Sequence, residues 1–405
     1  MELAAFFGRT PDLGLLEFLA VAPLLPFEFS GRGMNGEAYA MRPKGEYGHD
    51  FVMTGFRDHD FHDAVMMLQN RLGGTVRMAW GESLPESTDL VKYCHDLVSN
   101  ILKEREGKWT IGVSVWGKGP QPYRLAGQLK RSLDRSVRTV TDVAQLNGAQ
   151  LLHNKLPFLQ FGSGVEVVIV KEGKGFWVGV TLSAQNIADY TKRDFGIPKP
   201  DAVSGMLPPK LAQIMINLAV GHDKKVTVYD PFCGNGRILM EAALMGLQAM
   251  GSDIEPSKVD AAQENLLWLA REYDLSVEFA NCWVADATAP PGRTPDQPWH
   301  IVAEPYLGPP LRMPIPTPRE EAWLKELSGL YHDFFVTWST VMTKKQPKSF
   351  LMVFPRAKTQ SGRELSVYEN LVDRLHQMGY ISEVLFCYDR PDSIVRRDLV
   401  HIHFS

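Results

Sequence analysis

No run of about 18 apolar residues occurs in the 405-residue sequence, so no segment reads as a membrane-spanning helix. The opening MELAAFFGRTPDLG lacks a basic stretch followed by a long apolar one, and no secretory leader is expected. Cysteine is scarce. The four residues, Cys94, Cys233, Cys282 and Cys387, lie far apart with no CxxC pair and no His spacing suited to zinc. That excludes a disulfide scaffold or a zinc module, predicts no metal, and fits a reducing, cytoplasmic setting. Internal repeats and low-complexity tracts are also missing. So is an excess of positive charge: the formal net charge is -4, which excludes a uniformly basic nucleic-acid binder.

What is present is unevenly placed. Residues 101–200 hold 15 Lys and Arg against 8 Asp and Glu, a local +7 that leaves the remainder at -11. A basic segment on an acidic chain suits a polyanion docked at one place; the alternative is a chance fluctuation on a solvated surface. With 44% hydrophobic residues the chain has enough apolar side chains for two or three domains with their own cores.

The patterning predicts an α/β protein in several parts. Residues 31–60 are Gly-rich and polar, a loop or hairpin within an N-terminal α+β domain (1–98). In 99–191, Trp109–Trp116 alternates as a strand, Tyr123–Leu133 reads as a helix, and Ser136–Val140, Val165–Val170 and Phe176–Leu182 read as further strands, the last two joined at Glu172-Gly173-Lys174-Gly175. Residues 192–209, rich in Pro, Gly and charge, read as a linker. From residue 210 strands alternate with helices. Strands are expected at Val226–Val228, Ala249–Ser252, Val277–Phe279, His300–Ala303 and Ser349–Phe354. Helices are expected at Lys210–Leu218, Arg237–Leu247, Ser257–Arg271, Glu320–Met342 and Val367–Met378. Ile381–Phe386 and Leu399–Phe404 are expected to close as a hairpin. That alternation predicts a doubly wound, Rossmann-like sheet, which binds ligands beyond the carboxyl ends of its strands.

The sharpest motif is Asp230-Pro231-Phe232-Cys233-Gly234-Asn235-Gly236, which follows a strand and opens a helix. Two glycines at this spacing allow a sharp turn and close approach of a ligand. A dinucleotide site would place a third glycine where Leu239 stands, and a carboxylate at Asp230 would repel a pyrophosphate. The acid suits a ligand bearing a cation or an amine, such as S-adenosylmethionine. Asp253 ends the next strand, where a carboxylate can accept from ribose hydroxyls, and Asp286 follows the third, where it can accept from an adenine amine. Singly, each Asp can equally be a turn or cap residue.

DPFCGNGRILMEAALMG resembles the cofactor motif of class I methyltransferases. More narrowly, the chain resembles the tRNA guanosine-10 N2-methyltransferases and their THUMP-containing relatives. LGGTVRMA (72–79), KRDFGIPKPDAVSGMLPPKLAQIMINLA (192–219) and YDRPDSIVRRDLVHIHF (388–404) carry the same likeness. The resemblance implies a methyltransferase domain over 210–405, with Asp230, Gly234, Gly236, Asp253 and Asp286 at the cofactor and Phe232, Ile254 and Ala287 beside them. It also implies a THUMP-type RNA-binding domain over 99–191.

After the fourth strand come Glu304-Pro305-Tyr306-Leu307-Gly308. Amine-directed methyltransferases carry (Asp/Asn)-Pro-Pro-(Tyr/Phe) here. A side-chain oxygen and a backbone carbonyl orient the two N–H groups of an exocyclic amine and leave its lone pair facing the methyl donor. Glu304, Pro305 and Tyr306 are therefore the expected catalytic residues, although Glu replaces Asp or Asn and Leu307 takes the aromatic position. The Pro-rich 308–318 either walls the substrate pocket or packs as surface. Lys118, Arg124, Lys130, Arg131, Arg135, Arg138, Lys192 and Arg193 are candidate phosphate contacts, or ordinary solvated charges. Trp116 and Tyr123 can stack on bases, or Trp116 can be core. The expected partners are tRNA and a small activating subunit, with no membrane. The alternatives are an amine methyltransferase for rRNA or DNA, and a noncatalytic RNA-binding protein that keeps the fold.

Overall fold

The computed structural model describes residues 2–24, 29–34, 38–43, 59–103, 109–116, 118–133, 137–140, 164–201, 206–223, 225–276, 278, 280–290, 292–341, 346–390 and 393–404, with backbone alone for some of these. The chain divides into two compact units, Met1–Thr191 and Lys192–Ser405. Among the described residues no helix is long and apolar enough to cross a membrane.

The first unit holds β1 (Glu2–Phe7), α1 (Pro11–Val21), β2 (Phe29–Met34), β3 (Ala38–Pro43), α2 (His59–Arg71), β4 (Thr75–Leu84), α3 (Leu90–Leu102), β5 (Trp109–Trp116), α4 (Pro122–Ser132), β6 (Val137–Val140), β7 (Gly164–Glu172) and β8 (Gly175–Ala184). All eight strands form one sheet in the order β2-β3-β1-β4-β8-β7-β5-β6. The sequence reading separates 1–98 from 99–191. The structure joins them, because β4 pairs with β8 along its length and residue 98 lies inside α3. β2 and β3 pair antiparallel from Phe29↔Pro43 to Met34↔Ala38, so the expected loop or hairpin region begins with paired strands; residues 35–37 and 44–58 lie outside the described residues.

Alternation gives this sheet two different faces. One carries Leu3, Ala5, Met78, Trp80, Ile111, Val113, Val167, Val178 and Val180, packed with apolar residues of α1 to α4. The other carries Ala4, Phe6, Val168, Val170 and Trp177 around a buried polar cluster. There the Arg77 guanidinium donates to Glu166 Oε1 at 2.7 Å with both side chains fully buried, and the hydroxyls of Ser114 and Thr181 donate to the same carboxylate. Trp116 belongs to this layer. Its ring lies 5.0 Å from Phe6 and the Arg77 guanidinium sits 4.5 Å over it, so it is a packing residue.

The division between units falls inside α5 (Ile187–Phe195). The second unit continues with α6 (Pro209–Val220), β9 (Thr227–Asp230), α7 (Arg237–Leu244), β10 (Gln248–Asp253), α8 (Pro256–Tyr273), β11 (Ala280–Val284), β12 (Trp299–Ala303), α9 (Glu320–Val341), β13 (Phe350–Lys358), β14 (Glu364–Ser366), α10 (Val367–Gln377), β15 (Tyr380–Tyr388) and β16 (Val395–Phe404). Pro at the first turn starts α6 and α8, where its missing N–H costs nothing. Ser366 caps α10 by accepting from the Glu369 N–H.

The strand order is β11-β10-β9-β12-β13-β16-β15, with β14 paired to the far end of β13. β9 to β13 run parallel, and β16 inserts antiparallel between β13 and β15. The aromatic-rich core of Tyr331, Phe334, Phe335, Trp338, Phe350, Phe354 and Tyr380 joins α9 and α10 to one face. Ile197, Met240, Ala243 and Leu269 form part of the packing on the other.

Two expectations need correction. The third strand is Ala280–Val284, not Val277–Phe279, and Val277 and Phe279 themselves lie outside the described residues. It is an edge strand, half exposed despite four apolar residues in five. Nor is 192–209 a free linker in its described part. The Asn265 amide accepts from the Lys199 N–H at 2.9 Å and donates to the Lys199 carbonyl at 3.1 Å, which ties that segment to α8.

Candidate active site

The strand order reverses between β9 and β12: the chain builds outward from β9 through β10 to β11, then returns to start β12 on its other side. Splayed connections at such a point open a crevice beyond the carboxyl ends of the strands. Asp230 ends β9, Asp253 ends β10 and Glu304 follows β12, so three carboxylates stand at that edge.

Asp230 is 2% exposed. Burial holds its carboxyl well above the usual carboxylate range, opposed by the Phe232 N–H donating to Oδ1 at 3.0 Å and reinforced by the charges of Asp253 and Glu304. Asp253 organises the glycine turn: Oδ2 accepts from the Gly234 N–H at 2.9 Å and Oδ1 from the Glu255 N–H at 3.0 Å. Each oxygen keeps a second lone pair for a ligand hydroxyl. Gly234 (φ 49°) and Gly236 (φ 85°) both occupy backbone regions that favour glycine, and no atom lies within 4 Å of where a Gly234 Cβ would stand. The turn is thus open toward a ligand. Asn235 donates to the Lys199 carbonyl at 2.8 Å, and Asn265 donates to the Asn235 carbonyl at 2.9 Å.

Two of the apolar residues expected at the cofactor also pack inward. Phe232 turns its ring to Phe334, 5.5 Å away, and Ala287 is 8% exposed in the core, its carbonyl accepting from Trp338 Nε1 at 3.3 Å. Ile254, by contrast, is 63% exposed next to Asp253. Asp286 is exposed and accepts from the Thr288 N–H and hydroxyl through Oδ1, which shapes the turn after β11.

At the rim Glu304 is only 15% exposed and accepts through Oε1 from Arg397 Nε at 2.5 Å. Burial first, and then the Glu304 charge, push the Tyr331 phenol upward; its hydroxyl donates to the Val353 carbonyl at 2.9 Å. Pro305 is buried, and Tyr306 is exposed at 49%. Gly308 has φ 94° and lies over α9, where an added Cβ would stand 2.7 Å from Trp323 Nε1. The Pro-rich stretch is anchored further on: Ile315 is buried, its N–H donating to the Lys358 carbonyl at 2.9 Å, while Met313 stays exposed.

Arg397, Tyr331 and Asn265 were not singled out by sequence reading. Arg397 sits in a run of two arginines, and nothing in the string tells it from Arg396, which pairs instead with Glu364 and Asp389.

The basic residues divide. Lys118, Arg124, Lys130 and Arg131 are exposed, the last three on α4 beside the exposed Tyr123, whose hydroxyl accepts from Arg124 Nε at 3.2 Å. Leu125, Ala126 and Leu129 hold the opposite face of α4 in the core. Arg193 corrects the expectation. It is 4% exposed and donates to Glu241 Oε1 at 2.9 Å, a buried structural pair unavailable to phosphate. Lys192 is half exposed but paired with Glu272. Arg135 lies outside the described residues; Arg138 is placed in β6 by backbone alone.

This strand order, with a glycine turn after its first strand, acids at the ends of the first two and a Glu-Pro turn after the fourth, defines a Rossmann-like, doubly wound sheet with a candidate ligand crevice at its switch point. Residues 198–281 match the family model described as UPF0020: RMKL-like, methyltransferase domain. The chain is 29% identical over 170 residues to the tRNA (guanine(10)-N2)-dimethyltransferase of Pyrococcus abyssi, covering 41% of this chain and 47% of the relative. It is 44% identical over 81 residues to the protein of the same name from Methanothermobacter thermautotrophicus, covering 20% and 22%. The matched part is therefore less than half the length of either relative. Among solved structures, a putative RNA methyltransferase from Pyrococcus horikoshii superposes with TM-score 0.31 at 13% identity, covering 51% of this chain and 87% of its own. A precorrin-6y C5,15-methyltransferase from Geobacter metallireducens does so at 0.35 and 12%, covering 54% and 100%.

Proposed function

We propose that the protein transfers a methyl group from S-adenosylmethionine to an exocyclic amine of guanine, N2, in tRNA. The observation that carries this reading is the meeting of Asp230, Asp253 and Glu304 at the one point where the strand order reverses. The names of the two curated relatives supply the substrate.

The cradle fits the cofactor. Among the described residues the charges acting on the buried Asp230 are the carboxylates Asp253 and Glu304, which favours a ligand with a sulfonium or ammonium group. Asp253 keeps acceptor capacity for a ribose, and Asp286 with the exposed Ile254 suits an adenine edge and face. When bound, the cofactor supplies an electrophilic methyl group. Glu304 and the Pro305 carbonyl accept the two N–H hydrogens of the target amine, which aligns its lone pair, and Tyr306 offers an exposed ring for the base. Rate enhancement then comes from alignment and electrostatics without a covalent enzyme intermediate.

The first unit acts as a THUMP-type RNA-binding domain through Lys118 and the face of α4 bearing Tyr123, Arg124, Lys130 and Arg131. Extruding a base from a stem costs a few kcal/mol, and a separate grip on the RNA offsets it. Cytoplasmic action, and a small activating subunit as a further partner, belong to this reading. Mass spectrometry of nucleosides after incubating total tRNA with the protein and isotope-labelled cofactor is the test. Labelled N2-methylguanosine is expected; label on another base, or none, ends the proposal. A deoxy substrate methylated equally well favours DNA instead.

A further inference from the structure

We propose that Arg397 is a positioning residue for the methyl-transfer step, fixing the Glu304 carboxylate so that its second oxygen meets the substrate amine. The inference rests on the functional reading above and assigns a role to a residue that reading does not use.

Topology puts Arg397 there. β16 runs antiparallel to β13, so its first residues lie at the end where the parallel strands finish, and Arg397 pairs in register with Pro355. Glu304 reaches the same end from β12. The two side chains, 11% and 15% exposed, meet through Nε and Oε1 at 2.5 Å. Among the described residues Glu304 Oε2 accepts no hydrogen bond, so one oxygen is held and the other is left for a ligand.

The pair is specific. The neighbouring arginines are committed elsewhere: Arg356 to Asp398 and Glu369, Arg396 to Glu364 and Asp389. Glu304 acts electrostatically on both Asp230 and Tyr331, and Asp253 acts on Asp230 as well, so Arg397 brings positive charge to an acidic rim. A nearly buried ion pair adds little net stability compared with apolar packing, so its place at the ligand edge points to function.

It also accounts for the departure at the motif. Asp or Asn at position 304 would be one methylene shorter. Glu has the reach to meet Arg397, and the charge-assisted bond from Nε to Oε1 holds one carboxylate oxygen while leaving the other free. Asp230 draws a cationic cofactor; Arg397 keeps Glu304 from turning toward the same cation.

Steady-state kinetics with tRNA and S-adenosylmethionine tests this on the full chain. Arg397→Gln should lower kcat on the order of 10- to 100-fold, the range seen when an outer-shell partner that orients a metal ligand is removed. KM for tRNA and affinity for the cofactor should stay within about 2-fold, since neither is held by Arg397. Arg397→Lys should recover part of the rate. Combined with Glu304→Gln, the second change should cost much less than it does alone. A purely structural arginine would lower thermal stability and leave kcat of the folded enzyme intact, and that result overturns the inference. So would full additivity of the two substitutions. A wild-type chain that methylates no RNA sinks the functional reading and this inference with it; an active wild type matched by an equally fast Arg397→Gln variant removes the inference alone.

Discussion

At the residue scale, the proposed cofactor ligand Asp230 is also a buried carboxyl. Its carboxyl is held above the usual range first by burial and then by Asp253 and Glu304. The folded state therefore holds this proton more tightly than the unfolded state. Stability from this group is full below the unfolded carboxylate value and is lost as pH rises through the raised folded one. Asp230→Asn should raise the melting temperature of the ligand-free protein at pH 7 and have no such effect at pH 3. The same change should weaken S-adenosylmethionine binding by about 10-fold or more, one charge-assisted hydrogen bond being worth ~1.5–3 kcal/mol. Calorimetric titration beside a melting curve reads both; a destabilised variant with unchanged affinity contradicts the assignment. Asp253→Ala differs. It removes acceptors for the Gly234 and Glu255 N–H groups, so lower affinity should come with a stability loss of about 1–3 kcal/mol.

At the scale of elements, two turns carry the site and one helix carries the proposed docking face. Gly308 combines φ 94° with a Cβ position 2.7 Å from Trp323 Nε1. Gly308→Ala should cost about 1–3 kcal/mol, displace the turn bearing Glu304 to Tyr306, and lower kcat more than it changes cofactor affinity. Urea melts and single-turnover rates check this. α4 buries Leu125, Ala126 and Leu129 and exposes Arg124 and Arg131. Substituting both arginines by Gln should weaken tRNA binding and reduce the slope of log affinity against log salt by roughly 1 to 2 units. An unchanged slope takes these residues off the docking face.

At the scale of the whole molecule, the two units have separate hearts. In the first, Arg77 and Glu166 are fully buried together, and burial lowers the Arg77 pKa against the opposing effect of Glu166. Arg77→Met leaves a buried carboxylate without its cation and should cost about 3–5 kcal/mol. Scanning calorimetry of the full chain should show the transition of the first unit moved down and that of the second unchanged. A shift of both together would mean they unfold as one.

The sequence alone determined the second unit closely. Its strands alternate regularly with helices and are punctuated by Gly and Pro, and the glycine turn with its flanking acids is a local pattern. Short-range chemistry therefore sufficed to place Asp230 and Asp253 at strand ends and Gly234 and Gly236 in the turn between strand and helix. It failed where partners are distant. The half-exposed edge strand Ala280–Val284 is short and does not alternate cleanly between apolar and polar residues, and Arg193 and Lys192 read as surface charges until Glu241 and Glu272 are seen beside them. The single sheet of the first unit depends on β4 pairing with β8, about a hundred residues away. Tertiary structure likewise decided that Glu304 meets Arg397 rather than standing alone, because an antiparallel last strand returns its first residues to the edge where the parallel strands end.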